Sequence, residues 1–170
     1  MNHPYKGQLP RIHETCFIAD SAQIIGRVSL GANSSVWYNA VLRADLDDIR
    51  IGSNTNIQDG CLLHNDTGLP LIIGDNVTLG HGVIAHACTI EDNCQIGMGS
   101  IVLNGAYIGH GSIIGAGAVV PPRMQVPPNS QVMGVPGRVV KALTPEAEQN
   151  IARHGQGYAR LAEDFKREQK

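Results

Sequence analysis

An aliphatic residue returns at every sixth position along most of this 170-residue chain. The series begins Ile12, Ile18, Ile24, Leu30, Val36, Leu42. After three extra residues it resumes at Ile51, Ile57, Leu63, and after four more extra residues at Ile73, Leu79, Ala85. One residue then drops out, and the series runs on through Ile90, Ile96, Val102, Ile108, Ile114, Val120, Val126 and Val132. Six matches neither the 3.6-residue period of a helix nor the two-residue period of a strand. A β-sandwich with frequent turns would not hold one register for so long. Each hexapeptide instead predicts one short strand and one corner, and three of them make a triangular coil, so the chain reads as an all-β parallel β-helix. The series amounts to roughly seven coils, about 30 Å of stack at the usual strand spacing. Gly often follows the aliphatic position (Gly31, Gly52, Gly74, Gly80, Gly97, Gly109, Gly115). Gly and Asn beside the corners tolerate the positive φ that tight turns need.

The pattern resembles the left-handed hexapeptide β-helix proteins, an exception to the right-handed crossover rule. The β-helix domain is expected over residues 1–140, ending near Val140. Thr144-Pro145-Glu146 then reads as a helix start, with an N-cap, a proline at the first helical position and an acid in the first turn. The C-terminal segment 141–170 therefore predicts an α-helix to about Lys166, with an apolar side of Ala147, Ile151, Leu161 and Phe165. Gly155 and Gly157 weaken its middle. Such a helix needs a surface to lie on, a flank of its own β-helix or of a neighbour's.

A net charge of −2 offers no electrostatic case for nucleic acid or an anionic membrane surface. No apolar run is long enough to span a bilayer, and MNHPYKGQLPRIHET lacks the apolar stretch of a signal peptide, so the expected location is the cytoplasm. The four cysteines (Cys16, Cys61, Cys88, Cys94) form no CxxC and read as small buried hydrophobes. With aromatics at only 4%, isoleucine and valine must carry the core.

The register assigns faces. Leu42, Leu63 and Ala85 lie three repeats apart and share one, so their followers Arg43, His64 and His86 form an outward column about 4.8 Å per step. His81 is third in its repeat, on the preceding face, with Asp59 directly beneath it. The two columns diverge around a corner. One subunit cannot easily bring all three histidines to one point, whereas two adjacent subunits of a cyclic trimer can. Three histidines with Arg and Asp beside them point to a metal centre. His110 falls on the remaining face and, with His3, His13 and His154, reads as a surface histidine.

LRAD (42–45), NIQDGCLLH (56–64) and LGHGVIAHACTIEDNCQIGMGS (79–100) resemble the γ-class carbonic anhydrases and their shorter bacterial homologues. The resemblance implies a left-handed β-helix, a homotrimer, and metal ions at subunit interfaces held by His64 and His86 of one subunit and His81 of the next. It implies Zn²⁺, with Fe²⁺ or Co²⁺ possible, lowering the pKa of bound water so that hydroxide attacks CO₂ to give bicarbonate. Gln58 resembles the glutamine that hydrogen-bonds this water. Arg43, Asp45 and Asp59 match interface ion-pair residues, with an anion-binding role for Arg43 as a further reading. Tyr158 resembles a tyrosine that shorter homologues place near the metal. Leu46 stands where strongly active members carry an acid, and Asp66 is the only acid of the short loop after His64, so proton transfer to bulk water is the expected slow step. The rival readings are a metal-dependent thioesterase or other hydrolase, a hexapeptide acyltransferase with one general-base histidine, and a metal-binding scaffold without useful turnover.

Overall fold

The computed structural model describes residues 1–168. It is a parallel β-helix of about seven turns followed by one helix. Three columns of inward aliphatic residues run through it. Ile12, Leu30, Ile51, Ile73, Ile90, Ile108 and Val126 stack in successive strand pairs on the first face. Ile18, Val36, Ile57, Leu79, Ile96, Ile114 and Val132 do so on the second. Ile24, Leu42, Leu63, Ala85, Val102 and Val120 form the third. Nearly all of these side chains are buried in one continuous core. Most strands are only two residues long, because each must end at a corner before the next side of the triangle begins.

The corners explain the glycines and asparagines. Positive φ falls three residues after the inward aliphatic, where Asn33, Asn54, Asn76, Asn93, Gly99 and Gly117 stand. The glycine directly after the aliphatic has another purpose. A Cβ on Gly97 would lie 2.5 Å from the backbone nitrogen of Ala116 in the next coil. That position is bare so that coils can close to ladder distance, a different reason from the turn conformation that the sequence suggested.

All three breaks in the six-residue period fall at the corner between the third and first faces, in successive coils. The insertion after Leu42 does not interrupt its strand, which runs continuously over Val41–Ile51 with a register shift opposite Gly26 and Val28. Arg27 braces the bulged segment, its Nε 2.8 Å from Asp48 Oδ1 and its Nη2 donating to the Leu46 carbonyl at 3.0 Å. The insertion after His64 closes as a tight hairpin in which Asp66 and Leu69 exchange backbone hydrogen bonds of 3.1 and 3.0 Å. Buried Asn65 donates to the Asp47 carbonyl and ties the two insertions together. The deleted residue leaves Ala87 at φ 47°.

Parallel stacking ends with the strand that holds Val132, the last member of the six-residue series. Ser130–Met133 is the last parallel strand, and Arg138–Ala142 returns antiparallel to it. The helix spans Pro145–Glu168 and runs straight through Gly155 and Gly157. It lies on the second face of its own β-helix, where Phe17, Trp37 and Ala162 are buried together with Tyr158 and Phe165 against them. Phe165 sits 5.2 Å from Trp37, ring to ring. Leu161, expected on the apolar side, is exposed, and Ala162 takes the buried position against Phe17 and Trp37. Among the described residues no helix is long and apolar enough to cross a membrane.

The two glycine roles should separate in thermal and urea denaturation. Gly117→Ala adds a Cβ to a positive-φ corner with nothing within 4 Å, and should cost about 1 kcal/mol. Gly97→Ala must push coils apart and should cost roughly 3 kcal/mol or more. Equal losses would contradict the stacking account.

Candidate metal centre

Register and irregularity together build this corner. Arg43, His64 and His86 are ladder partners in successive coils of the third face. The bulge after Ala44 brings Asp45 back onto the column, where its Oδ1 lies 2.8 Å from His64 Nε2. Arg43 is paired with the other oxygen of the same carboxylate. The His64 and His86 rings meet edge to face, centroids 5.0 Å apart, with His64 Nδ1 and His86 Nε2 3.0 Å from one another. His86 Nδ1 lies 2.8 Å from Asn104 Oδ1 one coil further on.

These contacts dictate the tautomers. A carboxylate only accepts, so His64 carries its proton on Nε2, facing Asp45. Asn104 gives its amide nitrogen to Asp66 Oδ2 at 3.1 Å, so its oxygen faces His86, which must donate through Nδ1. Both remaining nitrogens therefore present lone pairs across the 3.0 Å gap. Such a pair wants a cation, and the gap is close to the ~3.3 Å edge between two nitrogen ligands of a tetrahedral zinc. Histidines whose far nitrogens are anchored by carboxylate or amide oxygens are the usual metal-ligand arrangement.

His81 stands on the second face. Its Nδ1 lies 2.8 Å from Asp59 Oδ2, which leaves Nε2 bare, and both side chains are more than 40% exposed. Among the described residues no three His, Cys, Asp or Glu side chains of one chain come together as a metal-holding set. The structure thus gathers Arg43, Asp45, His64 and His86 on one side of the corner. Asp59, His81, Gln58 and Tyr158 gather on the other.

The second group borders a cavity of about 270 Å³ between the C-terminal helix and the second face. Gln58, His81 and Tyr158 line it, with its floor formed by the backbone of Gly80, Gly97 and Gly115. Gln58 is buried and donates its amide nitrogen to Asn56 Oδ1 at 3.0 Å. Tyr158 packs edge-on against Trp37 at 5.7 Å, so it is both a packing residue and a wall of the cavity. Burial, and then the charge of Asp59, raise its phenol pKa. His154, which the sequence suggests is an ordinary surface histidine, lines the same cavity with its ring 5.4 Å from Tyr158. His110 is remote on the first face, its backbone nitrogen donating to Glu91. Burial pushes the thiols of Cys61, Cys88 and Cys94 up to about 12, which suits packing rather than reactivity.

Two features went unread in the sequence. Asn104 is one. The other is an outward ladder on the third face, Val41, Leu62, Ile84, Ile101 and Val119, each immediately before an inward residue and paired with the next in register. The equivalent outward residues of the second face include Ser35, Asn56 and Thr78, which the helix covers. The helix packs on the second face and leaves this ladder partly open to solvent, with Leu62 48% exposed and Val41, Ile84, Ile101 and Val119 half-buried.

Fold and repeat define a hexapeptide-repeat β-helix protein, and the family model for the bacterial transferase hexapeptide (six repeats) matches residues 87–122. A probable carbonic anhydrase of Methanocaldococcus jannaschii is 53% identical over 86% of this chain and 92% of its own length. A carbonic anhydrase of Geobacillus kaustophilus is 45% identical over 98% of this chain and 91% of its own. A Bacillus cereus crystal structure, provisionally named an acetyltransferase, superposes with a TM-score of 0.95 at 42% identity, covering 97% of this chain and 96% of that one. The chain belongs to the γ-class carbonic anhydrase family of hexapeptide-repeat proteins.

Burial opposes ionisation of Asp45, but the hydrogen bonds from His64 and Arg43 outweigh it and hold the carboxyl below its usual range. Folded Asp45 therefore binds fewer protons than unfolded Asp45. Its stabilisation is complete above the unfolded value of ~3.9 and is lost as pH falls through the lower folded value. In urea titrations of the metal-free protein, Asp45→Asn should be the less stable at about pH 6, and the gap should close below about pH 4. A gap independent of pH would contradict this.

Proposed function

We propose that this chain is a carbonic anhydrase whose metal centres are completed between subunits of a homotrimer. His64 and His86 of one subunit would hold the ion together with the partner subunit's His81. The observation that carries the reading is the facing pair of His64 Nδ1 and His86 Nε2, each with its far nitrogen anchored, beside a third anchored histidine that cannot reach them within the chain. Family membership supports the activity. The partly exposed apolar ladder supports the assembly, since it runs beside His64 and His86 on a face that the helix leaves open.

When bound, an ion of the Zn²⁺ class, or Fe²⁺ or Co²⁺, supplies an acidified water as the nucleophile toward CO₂. The residues of the chain do the rest. Asp45 and Asp59 hold His64 and His81 in their ligating tautomers. Gln58 presents a carboxamide to the cavity beside His81. Arg43, half exposed although paired with Asp45, would keep a fixed positive charge beside the histidine column for an anionic product. Proton export is the weak point. Leu46 stands exposed on the bulge, and both oxygens of Asp66 are engaged, one by the Thr67 amide at 2.8 Å and one by Asn104. Acyl transfer, which the transferase-hexapeptide match and the Bacillus cereus name suggest, needs one general-base histidine and leaves the three anchored ones without a purpose.

Protein purified without a histidine tag should be a trimer by light scattering and carry close to one zinc-class ion per chain. In stopped-flow assays it should hydrate CO₂, with a rate that rises with buffer concentration. His81→Ala should keep the trimer and lose both metal and hydration. A metal-free parent that transfers acyl groups, or a monomer that binds metal tightly, would overturn the reading.

A further inference from the structure

The loop after His64 supplies no ligand, yet its one acid reaches the site through a directed chain of hydrogen bonds. Resting on the metal reading above, we propose that Asn104, backed by Asp66, is a positioning residue that fixes His86 as an Nε2 donor. The links run in one direction. Asp66 Oδ2 can only accept, so the Asn104 amide nitrogen faces it at 3.1 Å. The Asn104 oxygen is thereby turned to His86 Nδ1 at 2.8 Å, and the imidazole must donate there. His86 Nε2 is left bare and aimed at His64 Nδ1.

A role for Asn104 as a simple pin for the loop does not account for this. The loop is already closed by the paired backbone bonds of Asp66 and Leu69 and by the Thr67 amide on Asp66 Oδ1. What Asn104 adds is an oriented acceptor for one histidine nitrogen. Asp45 and Asp59 contact His64 and His81 directly, whereas His86 has its carboxylate one residue removed, with Asn104 between. The period break after His64 thus has a functional reason: it returns an acid to within reach of the histidine column.

The test uses the full-length protein, zinc as the probe, and three variants: Asn104→Leu, Asp66→Ala, and the exchange Asn104→Asp with Asp66→Asn. The exchange keeps both hydrogen bonds and moves the charge next to His86. In the metal-free protein, long-range ¹H–¹⁵N correlations should show His86 protonated on Nδ1, and Asn104→Leu should lose that signature. Chelator competition should show zinc bound roughly 10- to 100-fold more weakly by Asn104→Leu, less weakened in Asp66→Ala, and near parental in the exchange variant. Light scattering should report the same assembly throughout. Tight zinc binding by the parent, with Asn104→Leu within about twofold and the tautomer unchanged, overturns this proposal alone. An exchange variant as weak as Asn104→Leu also overturns it. A parent that binds no zinc overturns the metal reading and this proposal with it.

Discussion

The closeness with which one coil lies on the next governs this molecule. Backbone must meet backbone at β-ladder distance over the whole stack. That is why glycine follows so many inward aliphatics, and why a Cβ at Gly97 would collide with the coil above. The same closeness makes position along the chain equivalent to position in space: residues one coil apart become neighbours on a ladder. Isoleucine, leucine and valine fill the interior, and each outward side chain sits above a residue about three repeats earlier.

Function enters where this regularity is broken. The two insertions and the deletion occupy one corner in three successive coils, and each insertion brings an acid to the histidine column. The first returns Asp45 to His64, and the second returns Asp66 to Asn104 and so to His86. The deletion compresses the turn after His86, with Ala87 at positive φ. The regular coils would serve as scaffold for almost any chemistry. The irregular ones carry the acids that anchor His64 and, through Asn104, His86.

Much of this was open to reading from the residues alone, because a strict period turns arithmetic into geometry. The three faces, the Arg43–His64–His86 column, the Asp59–His81 pair and the separation of His81 from the other two follow from counting sixes. Other features escaped for physical reasons. Asn104 lies on a regular repeat, and its partner Asp66 is 38 positions away in an insertion whose path no period describes. The apolar ladder from Val41 to Val119 was visible in phase, but outward aliphatics mean little until the helix is seen to cover a different face. Leu161 and Ala162 are adjacent on the helix, and only its contact with Phe17 and Trp37 decides that the smaller one is buried. The antiparallel return of Arg138–Ala142 onto Ser130–Met133 lies beyond Val132, the last member of the period, where counting sixes no longer applies.

The central claim is that the ligands for one ion come from two subunits, and mixed trimers address it directly. His81→Ala chains retain His64 and His86, and His64→Ala chains retain His81, so neither homotrimer should bind zinc. Unfolded together in equal amounts and refolded, they should regain about a quarter of the parental zinc, the share of interfaces where random assortment sets a complementary pair side by side. Confirmed mixed trimers that remain empty, or a His81→Ala homotrimer that binds zinc as the parent does, would contradict the account.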